Sequence, residues 1–301
     1  MRIGYPCINT GLDCRSGKTF HLKSYSEERL IAAVENNLDC LARILEYNTR
    51  NDLLFFRITS DLIPFASHPV CRFSWQRHFA AQFSDIGRTV RQHAMRISMH
   101  PDQFVVINSP NEEVVENSLR ELAYHAQILD LMGLDRSAKI QIHVGGMYGD
   151  RGQSLARFAR RYAMLSEAVR RRLVVENDDR SYALDDCLQV SAKTGIPVLF
   201  DAFHHQVHNH GESAAAALRL AAKTWKKADG PPMVDYSQPA PGRSRGTHAE
   251  SIDIRRFRRF LSETSALHFD VMLEIKDKEK SALKAVKAAR RDPRFIAAVS
   301  A

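Results

Sequence analysis

Strand-like and helix-like segments alternate eight times along these 301 residues, and that alternation constrains the fold more than any other feature. The strand candidates are 2–8, 53–59, 95–100, 139–144, 173–177, 197–202, 232–236 and 270–275. They are short and rich in Ile, Val, Leu and Phe, as strands covered on both faces should be. The helix candidates are 26–48, 74–93, 111–132, 153–170, 182–193, 212–227, 251–264 and 277–290. Apolar residues recur in them at helical spacing, as in Leu155, Phe158, Tyr162 and Leu165. Ser26 and Ser251 read as helix starts. Eight β–α units in this length predict an α/β fold, a single-domain (β/α)8 TIM barrel spanning 1–301. The rival, an open doubly wound sheet, would bring a Gly-rich phosphate loop after its first strand. Gly4, Gly11 and Gly17 do not form one. No Pro/Gly/Ser linker divides the chain. Segment 237–247 is the strongest candidate for a flexible loop, and 7–25 is a second long loop.

Six strand candidates end in a side chain of metal-ligand type: His100, His143, Glu176, Asp201, Asp235 and Glu274. A lone His there usually has a structural role, and a lone Asp or Glu can serve as a helix cap. Six strands doing the same is a stronger signal, because a closed parallel barrel gathers all the strand ends on one face, where the active sites of that fold lie. Mixed imidazole and carboxylate donors favour two or three divalent ions, with Mn2+ ahead of Zn2+ or Mg2+. Glu176, in the middle of the set, is the expected bridge. His100 and His143 would complete one site; Asp201, Asp235 and Glu274 would complete a second. His204 and His248 together would hold a third ion. His68, after strand two, reaches the same face and joins Glu176, His100 and His143 as the expected catalytic set. The neighbours His205, His208 and His210 read as a solvated loop. Two cations about 3.5–4 Å apart suit in-line displacement at phosphorus.

Lys and Arg outnumber Asp and Glu by 43 to 35, a formal charge of +8, which suits a polyanionic partner without specifying one. Arg243 and Arg245 lie in the loop after strand seven and are the candidates for phosphate contact. The runs at 170–172, 255–259 and 290–291 read mostly as solvated helix faces. Five cysteines with no CxxC pair argue against a disulfide framework and for a reducing compartment. No apolar signal segment opens the chain and no run approaches the roughly 20 apolar residues that span a bilayer. The expectation is a cytoplasmic monomer with no membrane association and no obligate protein partner.

Several longer motifs carry a resemblance. They are Gly4-Tyr5-Pro6 with Asn9, Arg57-Ile58-Thr59-Ser60 with His68, Ser98-Met99-His100-Pro101-Asp102-Gln103, His143-Val144-Gly145-Gly146, Glu176-Asn177-Asp178, Asp201-Ala202-Phe203-His204-His205 and His248-Ala249. Over nearly its whole length the chain resembles the UV damage endonuclease family, which is similar in fold and metal arrangement to endonuclease IV. The resemblance implies a metal-dependent enzyme that nicks UV-damaged double-stranded DNA immediately 5′ of a photoproduct, leaving a 3′-hydroxyl. It implies His100, His143, Glu176, Asp201, His204, His248 and Glu274 as metal-site residues, and Tyr5, Asn9, Gln103 and Phe104 as readers of the lesion. A photoproduct weakens stacking, so an amide and an aromatic ring wedged into the duplex meet less resistance there. The other reading of Phe104 is a core residue leading into Val105-Val106-Ile107. Two positions depart from the family. Met233 and Asp235 stand where it often carries a lysine and then a histidine, and Met233 cannot form the carboxylated lysine of some members. Phe104 stands where the family often has Tyr, which removes a hydroxyl and keeps the stacking face. An apurinic-site endonuclease and a two-metal sugar isomerase are the rivals on this scaffold; substrate choice separates them.

Overall fold

The computed structural model describes residues 1–298, so the last three residues of the expected 1–301 domain lie outside the described residues. Eight parallel strands pair in chain order and close into one barrel. They are β1 Ile3–Pro6, β2 Phe55–Ile58, β3 Arg96–Met99, β4 Lys139–His143, β5 Leu173–Glu176, β6 Val198–Asp201, β7 Met233–Tyr236 and β8 Asp270–Leu273. Each falls within a predicted strand. The fold is the (β/α)8 barrel that the alternation predicts.

The helices are α1 Glu27–Arg50, α2 Trp75–His78, α3 Ala80–Gln92, α4 Glu112–Leu131, α5 Arg151–Met164, α6 Glu167–Arg170, α7 Leu184–Thr194, α8 Ala202–Val207, α9 Ala214–Ala222, α10 Ile254–Glu263 and α11 Glu279–Ala289. Ser26 caps α1 by accepting the Arg29 N–H. Leu30, Val34, Leu38, Leu41 and Leu45 then line its buried stripe. Two predicted helices are broken: 74–93 at Phe79, and 153–170 where Ser166 starts α6 by accepting the Val169 N–H. The cap of α10 is Asp253, which accepts two backbone N–H groups, and not Ser251, whose hydroxyl takes Lys284 Nζ. Periodicity carries through such breaks because both halves keep one apolar face.

Two cores result. The larger lies between strands and helices and includes Ile3, Tyr5, Phe56, Ile97, Ile142, Val175 and Phe200; the smaller fills the barrel with Phe55, Val174, Leu199, Met233 and Met272. Each fully buried Leu or Phe contributes about 1.5–3 kcal/mol. Gly4 is dictated by the barrel wall, since a Cβ there would lie 1.6 Å from the Phe55 carbonyl oxygen. Because side chains alternate across a strand, the positions flanking the inner apolar layer also point into the barrel. Those toward the N-terminal end are Arg96, Lys139 and Asp270. Those toward the C-terminal end are Arg57, Gln141, Glu176, Asp201, Asp235 and Glu274.

Two sequence expectations are corrected here, and a third gains detail. Cys14 and Cys40 are disulfide-bonded, with Cα atoms 5.7 Å apart, which staples the 7–25 loop to α1. The odd count could not reveal a single pair closed by tertiary proximity. Arg172 is not a solvated helix residue: it is buried against Asp130 and the carbonyls of Leu134, Asp135 and Ala138. Segment 237–247 is pinned at its base by an antiparallel bridge between Pro239 and His248 and by Ala240 N–H donating to Thr247 O. Among the described residues no helix is long and apolar enough to cross a membrane.

Candidate metal centre

The six strand-end ligands converge at the C-terminal mouth. Three sets of donor atoms each lie within 4.8 Å of one another: His100, His143 and Glu176; Glu176, Asp201 and His204; Asp201, Asp235 and Glu274. Glu176 and Asp201 each belong to two sets, so the sets form a chain of neighbouring sites. Barrel register explains part of this, since His143 pairs with Glu176 and Asp201 with Asp235 across adjacent strands.

Local hydrogen bonds aim the donors. His100 Nδ1–H donates to Pro101 O at 2.8 Å, which leaves Nε2 bare and facing Glu176 Oε2 at 3.6 Å. His143 Nε2 stands 3.9 Å from the same oxygen. Both gaps are too long for hydrogen bonds. A second hydrogen bond fixing the tautomer is the usual support of a metal-bound imidazole. Gln141 Nε2 ties Glu176 Oε2 (2.8 Å) to Asp235 Oδ2 (2.7 Å). Asn177 holds the Asp201 backbone through both its amide atoms. Asp201 Oδ2 and Asp235 Oδ1 are buried with no hydrogen-bond partner. Two bare carboxylate oxygens among imidazoles fit divalent cations well, because a buried charge needs a counter-charge.

The charges show the same excess of negative groups. Burial pushes Asp201 up to about 7, with Glu176 and Glu274 adding to the shift against the opposing pull of His204. Burial likewise drives Asp235 well above the carboxylate range, against the opposing pull of Arg57 and with Glu274, Glu176 and Asp201 adding to the rise. Burial pushes on Glu274 in the same direction, yet Arg57 holds it down at about 2. Burial opposes protonation of His204, yet Asp201 and Glu176 raise it to about 11. Burial lowers His100 to about 4, so its ring is neutral at pH 7 and available as a ligand.

Other expected site residues fall differently. His248 donates Nδ1–H to Glu274 O (2.9 Å) and stands with its ring 6.4 Å from that of His204, outside the three sets. His204 groups with Glu176 and Asp201, and His248 stands beside it. His68 is exposed, and its Nδ1 accepts from Val70 N–H. Tyr5 and Asn9 do not reach the open mouth. Tyr5 occupies an outward-facing position of β1, buried against Phe56, and its hydroxyl joins Asn48 and Asn9. Phe104 is 52% exposed, which excludes its core reading. Gln103 lies beside it on the rim of a cleft of about 420 Å³ lined by His100, His143, His204, Asp179 and Arg180. Arg243 and Arg245 are exposed on the neighbouring loop. That loop packs closely: a Cβ on Gly246, whose φ is +84°, would lie 2.6 Å from Asp179 Oδ2. His205, read from sequence as solvated, is buried and its Nε2 faces Glu212 O. Met233 belongs to the apolar layer below the site. Arg57 and Gln141 were not singled out as site residues, though both sit an even number of positions from a strand end and so share its face.

Fold and site together define a (β/α)8 barrel with a chain of histidine and carboxylate groups suited to divalent ions. The model of the UV-endonuclease UvdE family matches residues 1–297. The chain is 38% identical over 288 residues to a UV DNA damage endonuclease of Clostridium perfringens, covering 95% of this chain and 70% of the relative. A solved structure of a protein called SacUVDE superposes with a TM-score of 0.92 at 47% identity, over 96% of this chain and 98% of that one. Endonuclease IV of Thermus thermophilus shares the fold, with a TM-score of 0.59 at 15% identity over 96% and 98%. The chain belongs to the UvdE family of endonucleases.

Proposed function

We propose that this protein nicks damaged duplex DNA on the 5′ side of UV photoproducts, leaving 3′-hydroxyl and 5′-phosphate ends. Two or three divalent ions, Mn2+ foremost, would be held by His100, His143, Glu176, Asp201, His204, Asp235 and Glu274, with His248 beside them. The observation that carries this reading is the chain of three donor sets with two bare buried carboxylate oxygens at the barrel mouth. The ions, when bound, supply water activation and charge stabilisation at the phosphorus. The side chains do the rest. His100 and His143 present ring nitrogens to the first set, and Gln141 keeps Glu176 oriented between its neighbours. Exposed Phe104 and Gln103 stand beside the cleft, where a wedge into an unstacked lesion belongs. Arg243 and Arg245 take backbone phosphates. Buried Tyr5 and Asn9 brace the β1–α1 loop and leave direct lesion contact to Gln103 and Phe104. Water adds to phosphorus as the bond to the 3′ oxygen breaks, and that oxygen leaves as the new hydroxyl.

Incision of a duplex carrying one defined photoproduct tests the proposal, with chelation and Mn2+ add-back. A single nick 5′ of the lesion, lost with chelator and restored by Mn2+, is expected. Cutting an abasic duplex while sparing the photoproduct would replace it with an apurinic-site activity. Aldose–ketose conversion with no DNA cleavage would replace it with the isomerase reading.

A further inference from the structure

Arg57 lies in the middle of the third donor set. It reaches inward from β2 and is almost wholly buried. Its Nη2 donates to Asp235 Oδ2 at 2.6 Å, and its Nη1 pairs with Glu274 Oε1. One rigid fork thus spans two carboxylates from β7 and the end of β8. The pairing is one-sided. Asp235 Oδ2 takes both Arg57 and Gln141, while Asp235 Oδ1 is buried without a partner, as is Asp201 Oδ2. Asp201, Asp235 and Glu274 together bring three carboxylates and no imidazole, and the guanidinium offsets one of the three charges permanently. The other two sets each contain at least one imidazole; His204 Nδ1 lies 3.3 Å from Glu176 Oε1 and 3.5 Å from Asp201 Oδ2, but an imidazole can give up its proton and become a ligand, which a guanidinium cannot.

We propose that Arg57 is a built-in cation of the third donor set, which holds Asp235 and Glu274 together without an ion and makes that set the weakest of the three for a divalent metal. The inference rests on the metal reading above and deepens it. Arg57 is a positioning residue: it acts on the ions through Asp235 and Glu274. An arginine cannot lose its proton under working conditions, so the offset does not vary with pH. A divalent ion bound at Asp201 Oδ2 and Asp235 Oδ1 would face a fixed positive charge a few ångströms away, which weakens it by about tenfold or more.

The test is Mn2+ titration of the full chain, stripped by chelator, as wild type, Arg57→Gln and Arg57→Lys. Bound ions are counted by calorimetry and by paramagnetic resonance of free Mn2+, and melting is followed with and without Mn2+. In wild type the last ion should bind most weakly. In Arg57→Gln that ion should bind about tenfold tighter. The ion-free variant should melt lower than wild type, and Mn2+ should raise its melting temperature by more. Arg57→Lys keeps the charge and loses the fork, so its last ion should bind with an affinity between the two. Unchanged or weaker affinity for the last ion in Arg57→Gln would overturn the proposal. If that variant folds only with Mn2+ present, the proposal is supported. If it folds under neither condition, the lysine variant decides, and a last ion bound no tighter than in wild type overturns the proposal. Normal loading of the histidine-bearing sets with a third set indifferent to residue 57 would sink this inference alone. Failure of wild type to bind any Mn2+ would sink the proposed function with it.

Discussion

At the N-terminal end of the barrel, every carboxylate oxygen of Asp229 and Asp270 has a donor; at the C-terminal end, Asp201 Oδ2 and Asp235 Oδ1 are buried with none. Asp270 takes Arg2 N–H on one oxygen and Arg96 Nη1 (3.0 Å) on the other. Asp229 takes Lys139 Nζ (2.7 Å) and Arg136 on one oxygen and the Lys226 N–H on the other. Trp225 lies over both Arg96 and Lys139 as a cation–π partner. Both ends are buried and charged, separated by one apolar layer. At the lower end the carboxylates are all answered, and the bare buried group is a donor, Arg96 Nε. The upper end keeps oxygens and imidazole nitrogens in reserve. Buried polar networks are stabilising only when complete, so an incomplete one marks a binding site.

The contrast can be broken at either end. Glu176→Gln should reduce nicking by roughly a thousandfold, since it removes the carboxylate shared by two donor sets, with DNA binding largely kept. Single-turnover incision and a binding isotherm check it, and full activity would dismiss Glu176 as the shared ligand. Asp229→Asn should have the opposite profile. It strands buried Lys139 and should cost about 3 kcal/mol of stability, the exposed Arg136 contact counting for little. Incision at a temperature where the variant is folded should be near normal, and a selective loss of activity would show that the lower network serves the site.

A pH series sharpens the lower end. Burial, ahead of the opposing Asp229 charge, lowers Lys139 from 10.5 to about 8. Between these values the unfolded chain holds a proton that the folded chain lacks, so this residue's contribution to stability rises with pH through that window. It is fully present above pH 10.5 and lost as pH falls to about 8. Urea midpoints of wild type, compared with Lys139→Met, should show that slope, and parallel curves would reject it. The smallest effect belongs to the rim. Arg243→Ala should weaken DNA binding regardless of sequence and lower the slope of log affinity against log salt by about one. An unchanged slope would free Arg243 of the phosphate role.

Much of this was legible in the chain. Short apolar runs located all eight strands and the donors at their carboxyl ends located the site; that Glu176, Asp201, Asp235 and Glu274 share the inner face follows from the two-residue period once the strands are placed. A strand's own residues decide which side each neighbour faces, so local sequence is enough. Partners across the barrel were not legible. Arg57 meets Asp235 from 178 residues away, and only barrel closure with its particular register sets that pairing. Closure likewise buried Tyr5 behind the wall and drew Cys14 to Cys40. The sequence by itself determined the eight-fold alternation and the kind of donors that end its strands, because both follow from backbone geometry over a few residues. Which donors share an ion, and which are already answered by a guanidinium, was decided by the tertiary structure, because distances between strand ends depend on how the whole sheet closes.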